Sequence, residues 1–332
     1  MNQWKVLLTT PDYYPKRGGL TTFSDNLKTS LEQLGHDVTL FAWDRIDAIK
    51  KFKSQDKFDY VFNVHFMGGY YLNEINPVYG HINFCHGSEI LMTSPNPIKK
   101  FVKKLNKKNY VNYFENSLKN IAISNFTLNK LIELGVSYNI SRDIVINNCI
   151  DLKEAKFLNP ALGNQISLVC IARDVPHKNI DGAFKLARSL SKHSSRKVVL
   201  YATRETIVDC EDFEYINISG IPEDEKEEII KKSHFNLLLS KDHSAKGFFE
   251  GFGLTILEAG KYGIPSIVAN SGGLSESVHD EYSGWVLNKE MDGSTWRNIE
   301  NNYQQVSQNA FKHTHESHSM SNYSKMLKEL VF

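Results

Sequence analysis

The chain has 332 residues, 41% hydrophobic and 23% charged, with 20 Gly and only 9 Pro. This composition supports a sizeable core and excludes a disordered, collagen-like or low-complexity protein, while the length suggests two domains. The formal net charge of +1 gives no global electrostatic case for a nucleic-acid partner, but the halves differ: 19 Lys and Arg against 15 Asp and Glu in residues 1–155, then 20 against 23.

Attraction to an anionic partner is therefore expected in the N-terminal half. No stretch approaches the roughly 18–20 apolar residues of a membrane span. The start, Met1 to Leu8, has neither a basic nor a full apolar leader region, so no signal peptide is expected. The four cysteines, Cys85, Cys149, Cys170 and Cys210, lack CxxC spacing, and a reduced cytoplasmic protein is the simplest reading.

The short apolar run Trp4-Lys5-Val6-Leu7-Leu8 predicts a buried strand ending in the turn Thr9-Thr10-Pro11-Asp12. Leu20, Phe23, Leu27, Leu31 and Leu34 recur at helical spacing, with Gly35 where a C-terminal glycine is wanted. Further strands are expected at 37–41, 60–64, 81–85, 121–124 and 144–146, with a helix in the mid-forties. Around 151–165 periodicity is lost, as in an interdomain linker. A second series of strands follows at 167–171, 198–201, 213–216, 235–239 and 266–268, separated by helices near 180–192, 223–233 and 254–262. Strands alternating with helices imply parallel sheets covered on both faces. The fold class is α/β, with two Rossmann-like, doubly wound domains, 1–155 and 165–310, facing a cleft. Ligands are expected outside the carboxyl ends of the strands.

The segment of greatest chemical interest is Phe249-Glu250-Gly251-Phe252-Gly253-Leu254-Thr255-Ile256-Leu257-Glu258-Ala259-Gly260. It follows an apolar strand and opens a helix. Its glycines allow close backbone approach, and the Leu254 and Thr255 amides with the helix dipole suit a phosphate. Glu250 precedes the helix and Glu258 lies inside it, so the two carboxylates can bracket a ligand whose phosphate lies between them. Carboxylates are good acceptors for sugar and ribose hydroxyls. The ordinary alternative is a solvated Glu250 beside a plain helix-start loop.

This paired-glutamate segment resembles that of retaining glycosyltransferases of the GT-B fold, glycosyltransferase family 4 in particular. Other matches fall in the family's order: Gly18-Gly19 after the first strand, His86-Gly87 after the fourth, Arg173 and Lys178 at Arg-x4-Lys spacing, and Gly272-Gly273. The resemblance covers essentially the whole chain. It implies transfer of a sugar from a nucleotide-diphosphate donor, UDP- or GDP-linked, to an acceptor hydroxyl with retention of configuration. Glu258 would hold ribose hydroxyls and Glu250 the donor sugar. Arg173 and Lys178 would neutralise the departing diphosphate, assisted by amides at Gly19, Gly253 and Thr255. His86 would lie at the sugar end, while Glu89 serves acceptor or structure. With two cations at the diphosphate and no Asp-x-Asp, neither metal nor cofactor is required. The last residues, 318–332, resemble the helix that returns to the first domain in GT-B proteins.

Residues 98–108 place Lys99, Lys100, Lys103, Lys104, Lys107 and Lys108 on one half of a helical wheel and Ile98, Phe101, Val102 and Leu105 on the other, after a helix start at Pro97. Two readings compete. One is a surface helix with its apolar stripe in the core; the other is a docking face for an anionic membrane, a lipid-diphosphate acceptor or another polyanion, with a glycan or glycolipid the expected acceptor. His313, His315 and His318 lie in a polar stretch without cysteines and are not read as zinc ligands. The rival functions are a glycosyltransferase acting on DNA or another polyanion, which ranks lower, a non-catalytic nucleotide-sugar-binding subunit, and an epimerase on the same fold.

Overall fold

In the computed structural model, which describes residues 3–16, 18–72, 74–158, 160–204 and 210–332, the apolar runs become two parallel sheets. Positions 1, 2 and 159, on which the leader and linker expectations partly fall, lie outside the described residues. The first series is β1 (Lys5–Thr10), α1 (Gly19–Gln33), β2 (Asp37–Ala42), α2 (Ile46–Lys51), β3 (Tyr60–Asn63), α3 (Met67–Tyr70), β4 (Gly80–Cys85), α4 (Pro97–Leu105), α5 (Lys107–Glu115), β5 (Lys119–Ala122), α6 (Asn125–Leu134) and β6 (Asp143–Val145). The second is β7 (Gln165–Cys170), α7 (Ile180–His193), β8 (Lys197–Ala202), β9 (Glu214–Asn217), α8 (Glu223–Lys232), β10 (Phe235–Leu238), α9 (Leu254–Gly260), β11 (Ser266–Ala269), α10 (Leu274–Ser277), β12 (Gly284–Leu287), α11 (Gly293–Ser317) and α12 (Met320–Leu330).

The sheet orders are β2-β1-β3-β4-β5-β6 and β12-β11-β10-β7-β8-β9, all parallel. Residues 1–151, 244–251 and 319–332 form one compact unit, and 152–243 with 252–318 the other. In the first unit, Val6, Leu8, Phe62, Ile82, Phe84 and Ile121 pack against Phe23, Leu27 and Leu31 of α1 and Tyr323 and Leu327 of α12. Gly35, at φ 88°, follows α1 as the turn residue, its amide donating to Glu32 O.

The opposite face of that sheet carries a polar row. Thr9, Asn63, Asn83, Asn120 and Asp143 sit in register across five strands and are buried. Each donates to the next: Thr9 Oγ1 to Asn63 Oδ1 (2.9 Å), Asn63 Nδ2 to Asn83 Oδ1 (3.0 Å), Asn83 Nδ2 to Asn120 Oδ1 (3.1 Å), and Asn120 Nδ2 to Asp143 Oδ1 (2.8 Å). Burial opposes ionisation of Asp143, but hydrogen bonds from Arg142, Asn120 and the Asn139 amide outweigh it and hold the carboxyl below its usual range.

Five elements were not expected from the sequence: the helices α3, α6, α10 and α11 and the strand β12. Strand β12 is only four residues long, and α11 runs for 25 residues through a polar stretch. Its buried Trp296, Ile299, Tyr303, Val306 and Ala310 have spacings of three and four, a helical signal diluted by Asn, Gln and His. The single helix expected over 98–108 is two. Asn106 interrupts it at φ −90°, ψ 2°, its side-chain amide donating to Val102 O (2.9 Å), the self-directed bonding that makes Asn a helix breaker.

Asn83 also donates to Ser117 Oγ and accepts from Tyr113 OH. Asn83→Leu should therefore strand several buried partners and cost about 3 kcal/mol or more, read as a lower urea midpoint. An equal stability for Asn83→Leu and the native chain would count against the row as a register device.

Candidate active site

In a doubly wound sheet the crevice forms where strand order reverses. In the second unit that point lies between β7 and β10, which are neighbours. The loop leaving β7 carries exposed Arg173 and half-buried Lys178, the latter closing the 3-10 turn Pro176–Lys178. Asn179 follows at φ 52° and its Nδ2 donates to Leu239 O (2.9 Å), while Lys241 N donates to His177 O (2.7 Å). Two hydrogen bonds thus tie the loop after β7 to the chain leaving β10. The sequence reading passed over Asn179; an Asn directly before an amphipathic helix was its available signal.

The chain returns to start α9 at Leu254. Gly253 has φ 96°, and a Cβ there would come within 2.6 Å of Leu238 Cδ2, so conformation and packing both require glycine. No side chain caps this helix, and Thr255 Oγ1 is buried without a hydrogen-bond partner among the described residues. Glu258, one turn further on, is half-buried. Burial, reinforced by Glu223, raises its carboxyl to about 7 against the pull of Lys261 and Lys226. The arrangement can accept an anion at the helix start and hydroxyl donors at the carboxylate.

In the first unit, Gly18 (φ 156°) and Gly19 begin α1 with open space beside the Gly18 Cα. His86 follows β4. Its ring meets Phe23 edge-on at 4.3 Å, and its Nε2 is buried with no partner among the described residues. Burial, with His65 acting in the same sense and Glu89 against it, lowers the imidazole to about 4, so His86 is neutral near pH 7. Glu89 Oε1 accepts from both the His86 and Gly87 amides, which gives this carboxylate a structural task. Segment 244–251 packs here too: Phe249 lies edge-on to Phe126 at 5.2 Å, and a Cβ on Gly251 would stand 2.0 Å from His86 O. His86 and the chain carrying Glu250 are thus brought together, whereas Glu258 belongs to the other unit.

The lysine-rich helix departs from the first of the two sequence readings. Helix α4 buries no residue: Ile98, Phe101, Val102 and Leu105 are 73, 62, 43 and 66% exposed. The apolar stripe is not in the core. Lys99, Lys100, Lys104, Lys107 and Lys108 are exposed, but Lys103 turns inward and its Nζ donates to Leu91 O (2.8 Å) and Ser88 O (3.0 Å). His313 packs against the rings of His279 (4.4 Å) and His318 (5.0 Å). Among the described residues no group of three or more His, Cys, Asp or Glu is placed to hold a metal, and no helix is long and apolar enough to cross a membrane.

Because the neighbour of Gly251 is a backbone carbonyl that cannot rotate away, Gly251→Ala should cost about 2 kcal/mol in a thermal melt. Gly163→Ala, where the added methyl meets nothing within 4 Å, is the control and should melt like the native chain.

Residues 153–301 match the family model described as glycosyl transferases group 1. No curated protein sequence matches the chain. Among solved structures, a glycosyltransferase from Rickettsia africae is 15% identical, with 99% of this chain and 98% of that one covered and a TM-score of 0.69. The Anabaena protein Alr3699/HepE in complex with UDP and glucose is 14% identical over 98% and 99%, TM-score 0.63. Sucrose-phosphate synthase from Thermosynechococcus elongatus is 12% identical over 99% and 98%, TM-score 0.71. At these identities the likeness is one of fold: two Rossmann-like α/β sheets of the GT-B class.

Proposed function

We propose that the chain is a glycosyltransferase that moves a sugar from a nucleotide-diphosphate donor to an acceptor hydroxyl. The observation that carries this reading is that Arg173 and Lys178 lie on the loop leaving β7, which is hydrogen-bonded to the chain leaving β10 where strand order reverses, with the uncapped helix α9 and its half-buried Glu258 following in the same unit. Such a set suits a nucleotide diphosphate: cations for the phosphates, amides of Leu254 and Thr255 for an oxygen, a carboxylate for ribose hydroxyls. The match to the glycosyl transferase group 1 model spans this same unit, and the solved Alr3699/HepE structures contain UDP and UDP-glucose.

In the proposed reaction the acceptor oxygen bonds to the anomeric carbon as the bond from that carbon to the diphosphate oxygen breaks. The leaving oxygen keeps the electron pair and takes the acceptor proton. Arg173 and Lys178 stabilise that charge, Gly18 and Gly19 offer further amides, and Glu250 and His86 bind the sugar end. No carboxylate in the set has a nucleophile's setting, so the reading is a same-face displacement with retention. A covalent glycosyl adduct trapped on Glu250 would overturn it. The two cations make the transfer metal-independent, and the lysine-rich 98–108 segment favours a glycan or glycolipid acceptor at an anionic surface, in surface-polysaccharide assembly.

A thermal-shift series with UDP-, GDP- and ADP-sugars tests the donor site; a saturating donor at about 100 times its Kd adds about 2.7 kcal/mol. Binding without turnover or hydrolysis of any donor would leave a nucleotide-sugar binder. With the stabilising donor, Lys178→Ala should lower kcat about 100-fold or more, and EDTA should leave the rate unchanged.

Glu258 supplies a signed pH dependence. Its carboxylate form grows from about pH 6 to about pH 8 because its folded value lies near 7, so donor KM should fall over that interval. Glu258→Gln should raise KM and flatten the profile. A native profile unchanged by the substitution would remove Glu258 from the donor site.

A further inference from the structure

Helix α4 is amphipathic, yet it buries neither face against the protein. A surface helix normally turns its apolar stripe to the protein and its charges to water. Here one lysine alone, Lys103, turns inward, while the stripe of Ile98, Phe101, Val102 and Leu105 faces solvent. Four large apolar side chains on three turns, with no acidic residue between Pro97 and Lys108, are costly to leave in water. The exposed Lys99, Lys100 and Lys104 flank the stripe, so its surroundings are cationic throughout. Apolar side chains bordered by lysines complement one surface in particular, an anionic bilayer, which offers hydrocarbon beneath a layer of negative headgroups.

The inward side of the same helix reaches the sequence that carries His86. Lys103 Nζ donates to Ser88 O and Leu91 O and lies 3.4 Å from Glu89 O. These carbonyls flank the 3-10 turn Ser88–Ile90, and the Glu89 side chain accepts from the His86 and Gly87 amides. A continuous path therefore runs from the exposed helix through the Lys103 ammonium and Glu89 to the backbone of His86.

We propose that α4 is a bilayer-docking element that regulates the active site, with Lys103 the positioning residue through which docking orders the His86–Leu91 segment. This rests on the glycosyltransferase reading for its purpose but not for its test, which needs no donor. The lysines thus divide: Lys99, Lys100 and Lys104 meet headgroups, and Lys103 is a strap.

The full-length chain is mixed with vesicles of phosphatidylcholine alone or with phosphatidylglycerol, and binding is read by flotation and amide hydrogen exchange by mass spectrometry. Binding should require the anionic lipid. It should fall about tenfold or more in Phe101→Glu/Leu105→Glu and in Lys99→Glu/Lys104→Glu, each with an unchanged melting temperature because these side chains are exposed. On docking, exchange across residues 86–91 should slow about tenfold in the native chain. Lys103→Met should still bind vesicles but lose that slowing, and Lys103→Arg should restore it.

Vesicle binding unaffected by Phe101→Glu/Leu105→Glu, or no binding at all, overturns the docking element. Concentration-dependent dimers that the same double variant dissolves would assign the stripe to a second copy of the chain instead. Binding without slower exchange at 86–91, or slowing that persists in Lys103→Met, overturns the strap. Failure of the glycosyltransferase reading appears separately, as absence of donor turnover with these lipid responses intact.

Discussion

The first sheet depends on a buried hydrogen-bonded row in which every donor points the same way. From Thr9 through Asn63, Asn83 and Asn120 the amide dipoles align toward the ionised carboxylate of Asp143, itself held by Arg142. A charge at one end polarises such a chain, and low dielectric makes any unmade bond expensive. A one-residue slip of β3, β4 or β5 would turn its Asn to the other face and orphan its neighbours. Hydrophobic burial alone is indifferent to which apolar residue faces which; this row is not. It therefore sets the strand ends from which the glycines before α1, the His86 turn and the helices of that unit proceed.

The second unit gets its geometry by a different route. Its core is apolar, built from Leu168, Leu200, Phe235 and Leu237 with Trp285, Trp296 and Tyr303. Precision at the candidate site comes from a few local ties. Asn179 in a left-handed conformation and the Lys241 amide bind the two loops at the strand-order reversal, and Gly253 lets α9 begin against Leu238. The Thr255 hydroxyl, without a hydrogen-bond partner among the described residues, and the raised Glu258 carboxyl are local costs in this unit.

Helix α4 shows how far a correct pattern can mislead about orientation. The periodicity of its lysines and apolar residues is genuine, and Pro97 begins the helix as read. Which face meets the protein was decided by the three carbonyls around Ser88–Ile90, which draw in one ammonium and so expose the stripe. No local property of residues 98–108 contains that information.

What was legible in the sequence was whatever short-range periodicity and turn chemistry encode. Apolar runs such as Val6–Leu8 and Phe235–Leu239 announced buried parallel strands, and the glycines of 249–260 marked the start of α9. The polar α11 and the four-residue β12 were missed because dilution by Asn and His and sheer brevity weaken the same signals. Tertiary structure alone decided which strands became neighbours, that buried asparagines in three separate segments share one row with Thr9 and Asp143, that Gly251 lies on the His86 carbonyl, and that Lys103 points inward. Each of these is a contact between residues distant in sequence, and such contacts are selected by the joint packing of whole elements rather than by the residues that make them.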